Sequence, residues 1–222
     1  MCGRFTITIE PVFFQQELDL GSVPAEWTPR YNAAPSQNIP VVTNKGTRDV
    51  EMLRWGLIPS WAKDAQIGYR MINARAETIQ EKPSFRNAFK QRRCLILADG
   101  FYEWQRQNGS APKVPFFFQL ADGAPFAFAG VWESWQPQQG ETVRSCSIIT
   151  TTPNALVANV HDRMPVILDK TMMWHWLEEK PADALQMMLV SYPAEKMVAH
   201  PVGLAVNNPA NDSAECVRPL AD

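Results

Sequence analysis

The stretch from Arg93 to Trp132 constrains the fold of this chain most tightly. Arg93-Cys94-Leu95-Ile96-Leu97-Ala98 is an apolar run too short for a typical helix and bounded by Asp99-Gly100, the pattern of a buried strand. Phe101 to Arg106 reads as a second strand, and Asn108-Gly109 as a tight turn. The Pro-bounded run Phe116-Phe117-Phe118, a turn at Asp122-Gly123 and the run Pro125 to Trp132 follow. Strands separated by turns this short predict an antiparallel meander, with further strands at 143–150, 39–43 and 49–55. Helical patterns are shorter. Glu10 to Leu18 places Val12, Phe13, Phe14 and Leu18 near one face. Thr152-Pro153 opens a helix over 153–160, Asp169 caps one over 170–179, and Pro181 opens one over 182–190. The expectation is an α+β fold: one domain over residues 1–222, with an antiparallel, barrel-like sheet flanked by short helices and a tail of about ten residues.

The 222 residues suffice to bury roughly 70% of the unfolded surface. No apolar run approaches the ~18 residues of a membrane span and no secretory leader is present, so a cytoplasmic protein is expected. Cys2, Cys94, Cys146 and Cys216 include no CxxC pair, and His161, His175 and His200 no HxxxH pair, so neither a metal site nor a disulfide is expected. Cys94 and Cys146 read as core. The net charge of −2 is unevenly spread. Residues 1–113 hold 15 Lys and Arg against 11 Asp and Glu, whereas residues 114–222 hold 6 against 12. A basic half suits a phosphate-binding face, although a solvated surface has the same composition.

Four segments carry chemistry. The chain starts Met1-Cys2-Gly3-Arg4, and loss of Met1 would leave an α-amine and a thiol on one residue. These titrate near ~8 and ~8.5 in model peptides, so both are partly nucleophilic at neutral pH. Together they can close a thiazolidine on an aldehyde; alternatively the thiol can attack an amide, or Cys2 simply packs in the core. In the second segment Asn73, Arg75 and Glu77 share one face of an extended run, either towards a cleft or on a solvated edge. In the third, Glu103 lies between Tyr102 and Trp104; there it is either a carboxyl of raised pKa suited to proton transfer, or a group facing water or paired with Arg75. His161, beside Asp162 and Arg163, is the best-placed imidazole for acid–base work, whereas His175 and His200 read as structural.

With Tyr31-Asn32-Ala33-Ala34-Pro35 and Arg54-Trp55-Gly56-Leu57-Ile58-Pro59, these segments form an ordered set that resembles the SOS-response-associated peptidase (SRAP) family, the abasic-site processing proteins, from residue 2 to about 210. The resemblance implies a DNA-damage protein that captures abasic sites in single-stranded DNA and shields them from cleavage. On that basis Cys2 is the crosslinking nucleophile and Asn73 positions the opened sugar. Glu103 moves protons at the sugar oxygens, and His161 assists acid–base steps including reversal. Thiol-peptidase self-processing ahead of Cys2 and lyase-like activity are also implied.

Within these motifs Arg4, Arg75 and Arg163 are candidate phosphate ligands, and Trp55 and Trp61 candidate stacking platforms, with a core role the alternative for each tryptophan. Lys82, Arg86 and Lys90 recur at helical spacing, as a solvated face or a further basic patch. No cofactor is implied, a monomer is expected, and nothing points to a protein partner. Two other functions share parts of the pattern. An amino-terminal-cysteine glutamine amidotransferase would use Asn108-Gly109 for its oxyanion, but the chain has no Gly-His pair to hold glutamine. A non-covalent single-stranded DNA-binding module would need no chemistry at Cys2.

Overall fold

The computed structural model describes residues 2–107 and 112–220. The chain opens with strand β1 (Arg4–Ile7) and helix α1 (Pro11–Leu18), then β2 (Arg30–Ala33), β3 (Asn38–Thr43) and β4 (Val50–Trp55). Next come β5 (Asn73–Arg75), α2 (Arg86–Gln91), β6 (Arg93–Ala98), β7 (Gly100–Gln105), β8 (Val114–Leu120), β9 (Phe126–Trp135) and β10 (Val143–Thr151). The last third holds β11 (Met164–Pro165), β12 (Ile167–Leu168), α3 (Lys170–Leu177), α4 (Ala182–Met187) and β13 (Met197–Pro201).

These strands form a barrel and an open sheet. β10, β4, β3, β6 and β9 hydrogen-bond in that order, and β9 pairs back onto β10, which closes the ring. All its pairs are antiparallel except β10 with β4. The open sheet runs β13-β8-β7-β1-β2, antiparallel throughout. The expected α+β architecture with a barrel-like core is therefore present, but the expected meander is not. β6 pairs with β3 and β9 in the barrel, and β7 pairs with β1 and β8 in the open sheet. The chain thus changes sheets at Asp99. Gly100 permits the crossing, because a Cβ there would lie 2.3 Å from the Phe117 ring. Asp99 fastens it by accepting hydrogen bonds from Thr6 Oγ1, Thr8 Oγ1 and the amides of Thr8 and Ile9.

The aromatic core fills the space between the two sheets. Phe5 of β1 meets Trp55 edge-on with centroids 5.1 Å apart and Phe128 at 5.6 Å, and Phe101 stacks on Phe118 at 5.0 Å. Buried aromatics of this size dominate core energetics, each removing some 150–250 Å² from water. Cys94 and Cys146 are buried within the barrel strands. Arg93 is also buried, its guanidinium donating to the carbonyls of Phe89, Lys90, Trp176 and Glu178, where α2 and α3 end. One cation thereby satisfies carbonyls that a helix leaves without partners at its C-terminus.

Of the helices expected, α1 and α3 form as read, with Asp169 capping α3 through the amides of Thr171 and Met172. In α1 only Phe14 and Leu18 are buried; Val12 and Phe13 face solvent, because a helix of eight residues can turn only one stripe inward. Residues 153–160 form only a 3-10 turn at Val157–Asn159, and 182–190 contract to α4. Lys82, Arg86 and Lys90 lie exposed around α2, above buried Phe85 and Phe89. Within the expected tail, the described residues are mostly exposed but carry two contacts. Ala214–Val217 make a 3-10 turn with Cys216 buried, and Pro219 bridges to Val202. The Asn108-Gly109 turn lies outside the described residues. Among the described residues, no helix is long and apolar enough to cross a membrane.

Candidate active site at the amino-terminal cysteine

Cys2 sits at the mouth of β1, where the strand register brings it beside three groups from distant parts of the chain. Arg4 pairs with Tyr102, so the antiparallel β7 carries Glu103 towards the Cys2 end. β5 runs parallel to β10, with Asn73 opposite Ile148, and there Asn73 Nδ2 donates to the Cys2 carbonyl at 2.8 Å. His161 follows the Val157–Asn159 turn, its Nε2 3.8 Å from Glu103 Oε2.

The Asn73 segment is held from beneath. Trp55 Nε1 donates to the Ile72 carbonyl at 3.0 Å, and the Ile148 amide donates to the same oxygen. Gly56 makes the approach possible. Its φ of +121° lies in the left-handed region, and a Cβ there would stand 2.6 Å from the Gly68 carbonyl oxygen. Among the described residues Asn73 Oδ1 is buried without a hydrogen-bond partner, an acceptor still to be used.

Burial dominates the electrostatics. Glu103 is 2% exposed, and desolvation pushes its carboxyl up to about 7. Burial also pushes the Cys2 thiol well above its ordinary range, with the nearby Glu103 charge adding to the effect. The sulfur is buried with its S–H 3.7 Å from the Arg4 carbonyl oxygen, whereas the partly ionised thiol expected from the sequence is that of a chain that has lost Met1. His161, half-buried, is pushed below the ordinary histidine range, chiefly by desolvation. The Arg163 amide donates to Nδ1 at 3.0 Å, while the carboxylate of Asp162, almost fully exposed, approaches the same nitrogen. The fixed backbone donor outweighs the solvated carboxylate, so the neutral ring carries its proton on Nε2, towards Glu103.

Glu103 and His161 open onto a cleft of about 590 Å³, which Trp104, Arg106, Lys113 and Asn159 also line. Arg106 and Lys113 were not foreseen. They are single cations just after β7 and just before β8, and the pairing of those strands brings both to the cleft. No group of three or more His, Cys, Asp or Glu side chains able to hold a metal occurs among the described residues.

Several anticipated DNA contacts have other partners. Trp55 is fully buried against Phe5, so it cannot stack on a base. Arg4 donates to Asn32 Oδ1 and to the carbonyls of Val206 and Asn207, which ties β1 to the closing segment of the chain. Arg163 makes a two-pronged pair with Glu77 and donates to the Thr150 carbonyl. Glu77 does not share a strand face with Asn73 and Arg75, because β5 ends at Arg75 and Ala76–Thr78 form a 3-10 turn. Arg75 is exposed, and Trp61 is 58% exposed.

A family model described as SOS response associated peptidase (SRAP) matches residues 1–209. The chain belongs to this family. The abasic site processing protein YoaM of Bacillus subtilis is 48% identical over 220 residues, covering 97% of this chain and 96% of that protein. The abasic site processing protein HMCES of Xenopus tropicalis is 35% identical over 225 residues, covering 86% of this chain and 66% of its own length. A crystal structure of a Bacteroides thetaiotaomicron protein superposes with a TM-score of 0.90 at 26% identity, over 99% of this SRAP chain and all of that one. A Bordetella bronchiseptica structure superposes at 0.79, with 28% identity over 91% of the chain.

Proposed function

We propose that this SRAP protein processes abasic sites by capturing them, in single-stranded DNA, as a thiazolidine on Cys2 once Met1 is removed. The single observation that carries the reading is the convergence of Asn73, Glu103 and His161 on a cysteine at the amino terminus. The names of its relatives supply the substrate class.

An abasic deoxyribose is mostly a closed hemiacetal, and only the open form exposes an aldehyde. A carboxyl poised near 7 can give a proton to the ring oxygen and take one from the hydroxyl, which is the work of Glu103. The Cys2 amine adds to the aldehyde carbon, and water leaves with a proton from Glu103 to give the imine. The thiol then adds across C=N: sulfur bonds to carbon, and the thiol proton, relayed by the Glu103 carboxylate, ends on the ring nitrogen. One water is lost overall. Burial of the thiol as S–H costs this route little, because ring closure is intramolecular and the effective concentration is very high. Asn73 orients Cys2 through its carbonyl, and its unused Oδ1 is an acceptor for the amine or a sugar hydroxyl. During reversal His161 acts as an acid through its minor imidazolium form, protonating the sulfur as the ring reopens. The thiazolidine removes the iminium that drives elimination of the 3′ phosphate, so capture also protects the strand. Arg75 and Trp61 are the outward-facing cation and aromatic that would hold the flanking backbone and base.

The same thiol would carry out self-processing ahead of Cys2, a peptidase activity in keeping with the family's description. The action is that of a soluble cytoplasmic monomer meeting DNA at the nucleoid. The test is denaturing electrophoresis after mixing the protein with an oligonucleotide bearing one abasic site. A slow band that Cys2→Ala abolishes supports covalent capture. An equal shift under native conditions only, unaffected by Cys2→Ala, would reduce the protein to a binding module.

A further inference from the structure

Arg163 and Glu77 join two segments that both pair with β10. Glu77 lies four residues beyond Asn73, and Arg163 two beyond His161. Arg163 Nη1 bonds Glu77 Oε1 at 2.6 Å and Nη2 bonds Oε2 at 3.0 Å, the bidentate geometry that fixes a guanidinium in plane as well as in place. Nη2 also donates to the Thr150 carbonyl at 2.6 Å, and Thr150 is the β10 residue paired with both Arg75 and Pro165. The Arg163 amide in turn donates to His161 Nδ1. We propose that Glu77 is a positioning residue for His161, acting through Arg163 to fix the ring and its tautomer against Glu103 and to hold the spacing between the Asn73 and His161 halves of the site.

Three features favour positioning over an incidental surface pair. The Arg163 side chain is 12% exposed, so its charge is largely withdrawn from solvent, where an unpaired guanidinium would be costly. Glu77 is held below the usual carboxylate range, first of all by its hydrogen bonds to Arg163, so the pair stays ionised through the working pH range. Both residues belong to segments that end in reactive groups, and the backbone between Glu77 and Asn73 is already fixed by β5 pairing. Loss of the carboxylate leaves Arg163 held by Thr150 alone and lets residues 161–163 relax. The His161 ring then loses the amide that selects its tautomer.

The inference rests on the proposed capture chemistry for its kinetic arm, so a second arm is independent of DNA. Nitrogen-15 spectra of the histidine rings report the tautomer and titration of His161 directly. In Glu77→Ala the His161 signal should move towards a mixture of tautomers with a changed midpoint, and Glu77→Asp should restore it in part. In the kinetic arm, release of the captured DNA should slow roughly tenfold in Glu77→Ala. It should not slow further when Glu77→Ala is added to His161→Ala. Unchanged ring signals overturn the inference, as does a release defect of equal size in both backgrounds. Tighter DNA binding with unaltered release also overturns it, since Glu77 would then merely mask a phosphate ligand. If wild-type protein forms no adduct, the capture reading fails while the ring spectra still decide the role of Glu77.

Discussion

His161 Nε2 stands 3.8 Å from Glu103 Oε2, with the imidazole pushed towards its neutral form and the carboxyl towards its protonated one. Desolvation drives both shifts, and both suppress charge within the cleft. The carboxyl is thus poised to exchange a proton near neutrality.

Capture should therefore follow a bell-shaped pH profile. The Cys2 amine must be unprotonated, which favours pH above its ordinary ~7.7–8.0. Glu103 must still carry its proton, which is lost as pH rises through about 7. Initial crosslinking rates should peak between these values. Glu103→Gln should be slower throughout and should lose the descending alkaline limb.

The same carboxyl should tune stability in the opposite sense to a salt-bridged one. Its folded pKa of about 7 exceeds the ordinary 4.5, so the folded state binds the extra proton between those values. Stability is full below about 4.5 and declines as pH rises through about 7. At roughly 1.4 kcal/mol per unit the loss is at most about 3 kcal/mol. Thermal melts should show Glu103→Gln more stable than wild type at pH 8 and no more stable at pH 4.

Trp55 supports the site from inside the barrel and not by touching DNA. Trp55→Phe should keep the edge-on contact with Phe5 but remove one of two donors to the Ile72 carbonyl, a loss of about 0.5–1.5 kcal/mol by urea unfolding. Crosslinking should slow, while non-covalent binding to an intact single strand stays unchanged. For Trp61→Ala the opposite is expected: little change in stability and weaker strand binding, read by fluorescence anisotropy.

Asp99 holds the chain where it passes between sheets. Asp99→Ala leaves two threonine hydroxyls and two amides without their acceptor, and should cost about 3 kcal/mol or more in unfolding free energy. Because β1 leads to Cys2, proteolysis near residues 2–10 should increase before global unfolding.

Much of this was legible in the sequence. The apolar runs within 39–43 and 93–98 became strands because burial on both faces demands such runs, and 143–150 joined them although Arg144, Ser145 and Ser147 interrupt its apolar residues. β1, β2 and β13 gave no such signal, since four or five residues of mixed character are too few for a period to emerge. The meander was misread because periodicity reports that a segment is a strand, not which sheet it joins. Only the Phe117 ring packed against Gly100 reveals the crossing. Within the site, Cys2, Asn73, Glu103 and His161 stood out because each is a reactive or polar group in apolar surroundings. Arg4 and Arg163 stood out on the same grounds and proved to be tied to carbonyls and to Glu77. A guanidinium has the same sequence signature whether its partner is a phosphate, a carbonyl or a carboxylate.

The central claim is that amine and thiol of the same residue hold the DNA. It is tested most directly by intact mass of the adduct with wild type and Cys2→Ser, each with and without borohydride. Wild type should give the mass of protein lacking Met1 plus oligonucleotide minus one water, unchanged by borohydride because the ring has no C=N to reduce. Cys2→Ser should give an adduct stable only after reduction. A wild-type adduct that gains two hydrogens on reduction, or one that retains Met1, would contradict the account.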